Sequence, residues 1–193
     1  MKDPVERAIR MASIIAETLR EIGQDPILVG GAAVEFYTEG GYATRDIDLI
    51  AAGGPDLIHA MEKLGFEKLG KDFVDRKRDI YLEFPSSTLK PGEQTRLLQV
   101  GPYPLLIVSR EDLIVDRLCA FKFWQSGIDG LSVLLLLEEN PIDEKRLLER
   151  AKNETVDDAL ESIRSVQQKI IRQKLPPPEA NRLLEREMKR LRN

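Results

Sequence analysis

The run Ile27-Leu28-Val29-Gly30-Gly31-Ala32-Ala33-Val34 is followed, after a short interval, by Thr44-Arg45-Asp46-Ile47-Asp48-Leu49-Ile50. The first stretch is apolar with β-branched members, breaks at two glycines and resumes in helix-favouring residues. The second alternates carboxylates with large aliphatics. Together they predict a strand ending at Val29, a tight turn, a helix, and a second strand with Asp46 and Asp48 on one face and Ile47 and Leu49 on the other.

Each half has a chemical and a purely structural reading. Gly30 and Gly31 permit backbone dihedrals closed to other residues and leave no side chain between the opening amides of the helix and a ligand. Those amides are unpaired within the helix, and its dipole favours a phosphate. The plain alternative is a tight strand-to-helix turn. Two carboxylates that close on one face repel unless a cation lies between them, and hard divalent ions take carboxylate and phosphate oxygens. The plain alternative is the solvated face of a half-buried strand.

The combination of Gly30-Gly31, fourteen intervening residues and Asp46-Ile47-Asp48 resembles the nucleotidyltransferase-fold superfamily related to DNA polymerase β. Its signature is a strand ending in Gly-Gly or Gly-Ser, a helix, and Asp-hydrophobic-Asp on the next strand. The interval is somewhat long for the family, with Gly40-Gly41 as the place where the extra residues are taken up. Within the superfamily the chain looks most like the small prokaryotic branch of AbiEii-type toxins and related uncharacterised proteins, over roughly residues 25–140.

The resemblance implies a metal site of Asp46, Asp48 and a third carboxylate on a later strand, loaded with Mg²⁺ or Mn²⁺. Residues 79–84 read as a strand with Asp79, Tyr81 and Glu83 on one face, so Glu83 is the first choice, and Asp79 and Asp75 compete. A triphosphate would rest on Gly30, Gly31 and Thr44. Arg117, or Lys122 on a neighbouring face of its helix, would reach the phosphates; a helix-surface salt link explains either one without catalysis. The implied activity moves a nucleoside monophosphate from a nucleoside triphosphate to a hydroxyl of an RNA or protein acceptor. The implied partner is an antitoxin-like protein. The same fold without catalysis would be a nucleotide-binding or interaction module, and in a scaffold protein both motifs would be coincidental.

Working outward, Val5, Ala8, Ile9, Ala12, Ile15, Leu19 and Ile22 recur at helical spacing over residues 4–22, ended by Gly23. After Gly53-Gly54-Pro55, residues 56–64 read as a helix with Asp56 as N-cap. Strands are expected near 66–69, 72–75 and 79–84, then two more across 95–108 around Gly101-Pro102. Ser109 to Asp112 reads as a capping box opening the helix that carries Arg117. Asp129 reads as an N-cap, Leu131 to Leu137 as a buried helix, and Trp124 as packing. Pro141 marks a boundary between a 1–140 nucleotidyltransferase-like domain and a 141–193 helical extension. In the extension, Thr155 and Asp158 suggest a capping pair, and Leu175-Pro176-Pro177-Pro178 a stiff spacer before a helix over 179–193.

The expected class is therefore α/β, α+β in organisation, with a mixed sheet flanked by helices and a helical C-terminal part. The 193 residues and 42% hydrophobic content suffice for such a core. A net charge of −4 argues against a generally basic nucleic-acid surface. One cysteine, Cys119, excludes an internal disulfide and reads as buried and inert; one histidine, His59, makes zinc a poor fit. No apolar run is long enough for a membrane span, and cytoplasmic residence is the default expectation.

Overall fold

A computed structural model describes residues 3–42, 44–138 and 142–192. The chain divides into two compact units, Met1–Ser109 and Arg110–Asn193. The helical part thus begins at Arg110, and the boundary expected at Pro141 lies outside the described residues.

The first unit holds α1 (Asp3–Arg20), β1 (Ile27–Val29), α2 (Gly30–Tyr37), β2 (Asp46–Ile50), α3 (Pro55–Lys63), β3 (Glu67–Leu69), β4 (Asp72–Asp75), β5 (Ile80–Glu83), β6 (Thr95–Val100) and β7 (Tyr103–Val108). The seven strands form one mixed sheet in the order β3-β4-β5-β2-β1-β7-β6. β1 pairs antiparallel with β2 and parallel with β7, and β2 pairs parallel with β5. The mixed α/β class expected from the alternating helical and strand periodicities is the one observed.

Amphipathicity accounts for the layers. Ile9, Ala12, Ile15 and Leu19 of α1 are buried, as read from spacing, with Ala16 beside them; Ile22 lies past the helix end and is exposed, and α1 lies against β7 and α2. Leu28, Ile47, Leu49 and Leu82 fill the sheet's core side, burial worth about 1.5–3 kcal/mol for each large aliphatic. Tyr37 Oη donates to the Val108 carbonyl at 2.8 Å, pinning the end of α2 to β7. Beyond Tyr37 the chain turns through Glu39 (φ 48°) and Gly40 (φ 84°), where the long interval is taken up.

The second unit comprises α4 (Arg110–Phe123), α5 (Gly127–Glu138), α6 (Glu144–Asn153), α7 (Asp157–Gln173) and α8 (Pro177–Leu191). Charged residues brace its interior. Asp112, wholly buried, accepts from Arg150 Nε at 2.8 Å and from the Arg146 guanidinium, tying α4 to α6. Glu111 accepts from the Asp143 amide at 3.0 Å. A Cβ at Gly130 would lie 2.6 Å from the Phe121 ring, so α4 and α5 approach closely only because that side chain is missing.

Several local expectations are corrected. Gly54, not Asp56, is the N-cap of α3, because Pro55 occupies the first helical position, where its missing N–H costs nothing. Val156 precedes α7 as N-cap with no side-chain bond; Asp158 instead binds Lys122. Pro177 and Pro178 sit inside the first turn of α8, which leaves Pro176 as its N-cap, and the proline run is a helix start rather than a spacer. Asp129 lies within the first turn of α5 and pairs with Arg117. Trp124 is 83% exposed, not packed, and Cys119 is only partly buried. No helix among the described residues is long and apolar enough to cross a membrane.

Candidate active site

The site is built where β1 ends and β2 begins. Gly30 opens α2 at φ +62°, and a Cβ there would stand 1.9 Å from Asp48 Oδ2. Glycine is required twice over, by a left-handed backbone and by the carboxylate pressed against it. The next amide, Gly31 N–H, donates to the same Asp48 Oδ2 at 3.2 Å. The antiparallel register Val29↔Asp48 causes this approach, since it lays the strand-to-helix turn directly over the second carboxylate. Of the amides expected to meet a phosphate, that of Gly31 is therefore directed at Asp48.

Asp46 is exposed and Asp48 half-buried, on the face of β2 opposite to buried Ile47 and Leu49. Asp46 receives its local order from Thr44, whose Oγ1 accepts the Asp46 N–H at 3.2 Å. Thr44 also stands against the glycine turn, 3.2 Å from where a Gly31 Cβ would be. Parallel pairing of β2 with β5 sets Asp46 opposite Tyr81 and Asp48 opposite Glu83. Paired residues of neighbouring strands share a face, so Glu83 flanks Asp48 on the side that carries Asp46.

The two competing carboxylates are placed differently. Asp75 pairs in register with Ile80, on the core side, and is 2% exposed. Burial alone would raise its pKa, but the Arg78 guanidinium and the amides of Lys77 and Arg78 outweigh it and hold the carboxyl below the ordinary 3.8. Asp79 lies in the β4–β5 turn at φ 53° and faces Arg45 at 3.4 Å.

As a donor set, three carboxylates on one face of adjacent strands suit a hard divalent cation. Their oxygens are not gathered about a single point: among the described residues no group of three or more His, Cys, Asp or Glu side chains is positioned to hold a metal ion. Glu83 instead lies 3.9 Å from Lys71 Nζ, an exposed and weak contact.

Arg117 and Lys122 belong to the second unit and have partners there. Arg117 donates to Asp129 at 2.8 Å and to Asp116 at 2.7 Å. Burial works to lower its pKa, and the two carboxylates more than reverse that. Lys122 Nζ bonds both Asp158 oxygens, at 2.8 and 2.9 Å, and the Thr155 carbonyl at 2.7 Å.

One residue of the site region escaped the sequence reading. Glu35, one helical turn after Gly31, is 3% exposed. Desolvation raises its pKa, against the Thr44 N–H that donates to it, and its Oε2 has no hydrogen-bond partner among the described residues. Glu35 thus links α2 to the residue that orders Asp46. A carboxylate inside the run Ala32-Ala33-Val34-Glu35-Phe36 was the available signal, since such a residue rarely faces the core without a polar task.

Neither a protein-family model nor a curated protein sequence matches this chain. Among solved structures it is similar to the crystal structure of an antigenic nucleotidyltransferase-like protein from Paracoccidioides brasiliensis, at 15% identity and a TM-score of 0.57, over 95% of this chain and 93% of that one. The mixed sheet, the helical C-terminal part and this likeness together establish that the chain has a nucleotidyltransferase-like fold.

Proposed function

We propose that the protein is a metal-dependent nucleotidyltransferase that moves a nucleoside monophosphate from a nucleoside triphosphate to a hydroxyl of an RNA or protein acceptor, with pyrophosphate leaving, in the cytoplasm, as the toxin of a toxin–antitoxin pair of the AbiEii-like kind. The observation that carries this reading is the β2–β5 register, which sets Glu83 beside Asp48 on the face of Asp46. Periodic alternation supplies acidic residues on many strands; alternation on two strands that pair in phase is far more selective.

In this reading Asp46 and Asp48 would hold Mg²⁺ or Mn²⁺, with Glu83 as the third ligand. The bound ion supplies charge neutralisation at the phosphoryl oxygens. Gly30 keeps the turn low over Asp48, so the amides opening α2 approach the triphosphate without an intervening side chain. The Thr44 hydroxyl holds the Asp46 backbone in place. Glu83 also accepts the proton of the acceptor hydroxyl. Arg117 and Lys122 remain structural here, because a phosphate would have to displace carboxylates already in contact with each.

A second reading, a nucleotide-binding module without turnover, is favoured by the contact of Glu83 with Lys71 and the dispersed carboxylates. Calorimetry with each of the four nucleoside triphosphates and Mg²⁺, on wild type and on Asp46→Asn/Asp48→Asn, tests the site. Metal-dependent binding by wild type alone is expected. If wild type binds none of the four, or if the double variant binds as well, the transferase reading fails. Binding followed by no pyrophosphate release with any RNA or protein acceptor would leave the second reading.

A further inference from the structure

A cavity of about 650 Å³ lies beside the N-terminal ends of β2 and β5. Its floor includes Ile47 and Ile80, which project to the side of the sheet opposite Asp46, Asp48 and Glu83. It is therefore separate from the carboxylate face, and Glu83 stands at the opposite end of β5. Its size falls within the range of small-molecule sites, about 300–1,000 Å³.

Three guanidinium groups line the cavity, Arg7, Arg45 and Arg78, against one carboxylate, Asp79. Such a local excess of positive charge stands out in a chain of net charge −4. The three arginines come from different elements, α1, the approach to β2, and the β4–β5 turn, and they differ in commitment. Arg78 is engaged: its guanidinium bonds buried Asp75 and reaches the Leu64 carbonyl at 3.4 Å. Arg7 gives one N–H to the Arg78 carbonyl at 2.9 Å, and among the described residues no carboxylate pairs with it. Arg45 meets Asp79 at 3.4 Å with both side chains mostly exposed, a contact that solvent screens to little. Two planar cations with spare donors thus line the same cavity as the edges of two buried isoleucines. Guanidinium groups in pairs match the oxygens of a phosphate, and an apolar floor suits the carbon body attached to one.

We infer that this cavity binds a small phosphate ester, with its phosphate on Arg7 and Arg45 and its carbon body over Ile47 and Ile80. The inference does not depend on the transferase reading, since it uses none of the carboxylate-face residues. It has a consequence for that face, because Thr44 lines the cavity and its hydroxyl accepts the Asp46 N–H. A ligand here rests against the segment that leads into the first carboxylate.

The test is equilibrium binding in EDTA, which removes the divalent ions an anion would need at Asp46 and Asp48. The probes are adenosine monophosphate, a hexose phosphate, inorganic phosphate and a single-stranded oligonucleotide. One of the two esters binds wild type measurably. Arg7→Ala and Arg45→Ala each weaken it about tenfold, the scale of one charge-assisted hydrogen bond. Arg45→Lys loses less, and Asp46→Asn/Asp48→Asn binds as wild type does. Both arginines are exposed, so thermal melting of these variants stays at the wild-type value. The inference is overturned if neither ester binds, if the arginine variants bind equally well, or if the aspartate variant loses binding. Inorganic phosphate matching the esters would remove the role of the apolar floor and overturn the ester assignment. Preference for the oligonucleotide would replace it with a polynucleotide surface.

Discussion

The two units use carboxylates in opposite ways. In the helical unit Asp112 is fully enclosed and receives two guanidinium groups, and Asp129 and Asp116 share Arg117. In the sheet unit Asp46 and Asp48 project from one face of one strand, Asp46 into solvent, with Glu83 alongside in the pairing register. Buried charge survives only when it is paired, so carboxylates of the first kind hold helices together. Like charges on one strand face repel each other and do not join elements in this way. The residue types are the same, and the partner geometry separates carboxylates that brace helices from those left on a strand face.

The comparison would break most sharply at Asp112. Asp112→Ala leaves Arg146 and Arg150 without the carboxylate they share, and we expect a loss of about 4 kcal/mol in urea denaturation. A loss below about 1 kcal/mol, the scale of exposed pairs, would mean that the buried arginines are equally well served by other groups.

Gly30→Ala should cost about 2 kcal/mol, from a left-handed backbone carrying a Cβ and from displacement of the Asp48 carboxylate. Thermal melting reads the stability, and Mg²⁺-dependent nucleotide binding should be lost with it. Retained binding would show that the turn need not press on Asp48.

Glu35 and Asp75 sharpen the contrast within the sheet unit, because both are buried and their pKa values move in opposite directions. The pKa of Glu35 is raised, so its contribution is complete below 4.5 and is lost as pH rises through the folded value. Glu35→Gln keeps the acceptor for the Thr44 amide, and should stabilise the protein by on the order of 1 kcal/mol at pH 7 and by less near pH 4. The pKa of Asp75 is lowered, so its contribution is complete above 3.8 and falls away as pH drops through the folded value. Paired melts of wild type and Glu35→Gln between pH 3 and 8 check the sign; a gap that widened toward acid would contradict the burial argument.

The smallest effect is expected at the carboxylate face itself. Asp46→Asn alone should change stability by less than about 0.5 kcal/mol, the range of exposed positions without a structural task. A larger loss in the same denaturation experiment would place Asp46 with Asp112 as a structural carboxylate.

Much of this was legible in the residues. The strand, double glycine, helix and Asp-x-Asp strand were legible because period-two alternation and glycine breaks are local signals, and most of the stripe of α1 was equally plain. Cap assignments failed where two local signals competed: Pro55 displaced Asp56 from the N-cap of α3, and the proline run started α8 instead of spacing it. Asp129 and Asp158 looked like caps because a carboxylate near a helix start fits that role, whereas cations distant in sequence claimed both.

Sequence by itself located the strands and most of each helix, and determined that Asp46 and Asp48 share a face, since both follow from backbone geometry within a few residues. Only the tertiary structure decided that Glu83 stands beside Asp48, that Gly30 rests on the Asp48 carboxylate, and that Asp129 reaches Arg117 and Asp158 reaches Lys122. Strand order, register and long-range ion pairs join residues far apart in the chain, and periodicity carries no information about which distant partner arrives.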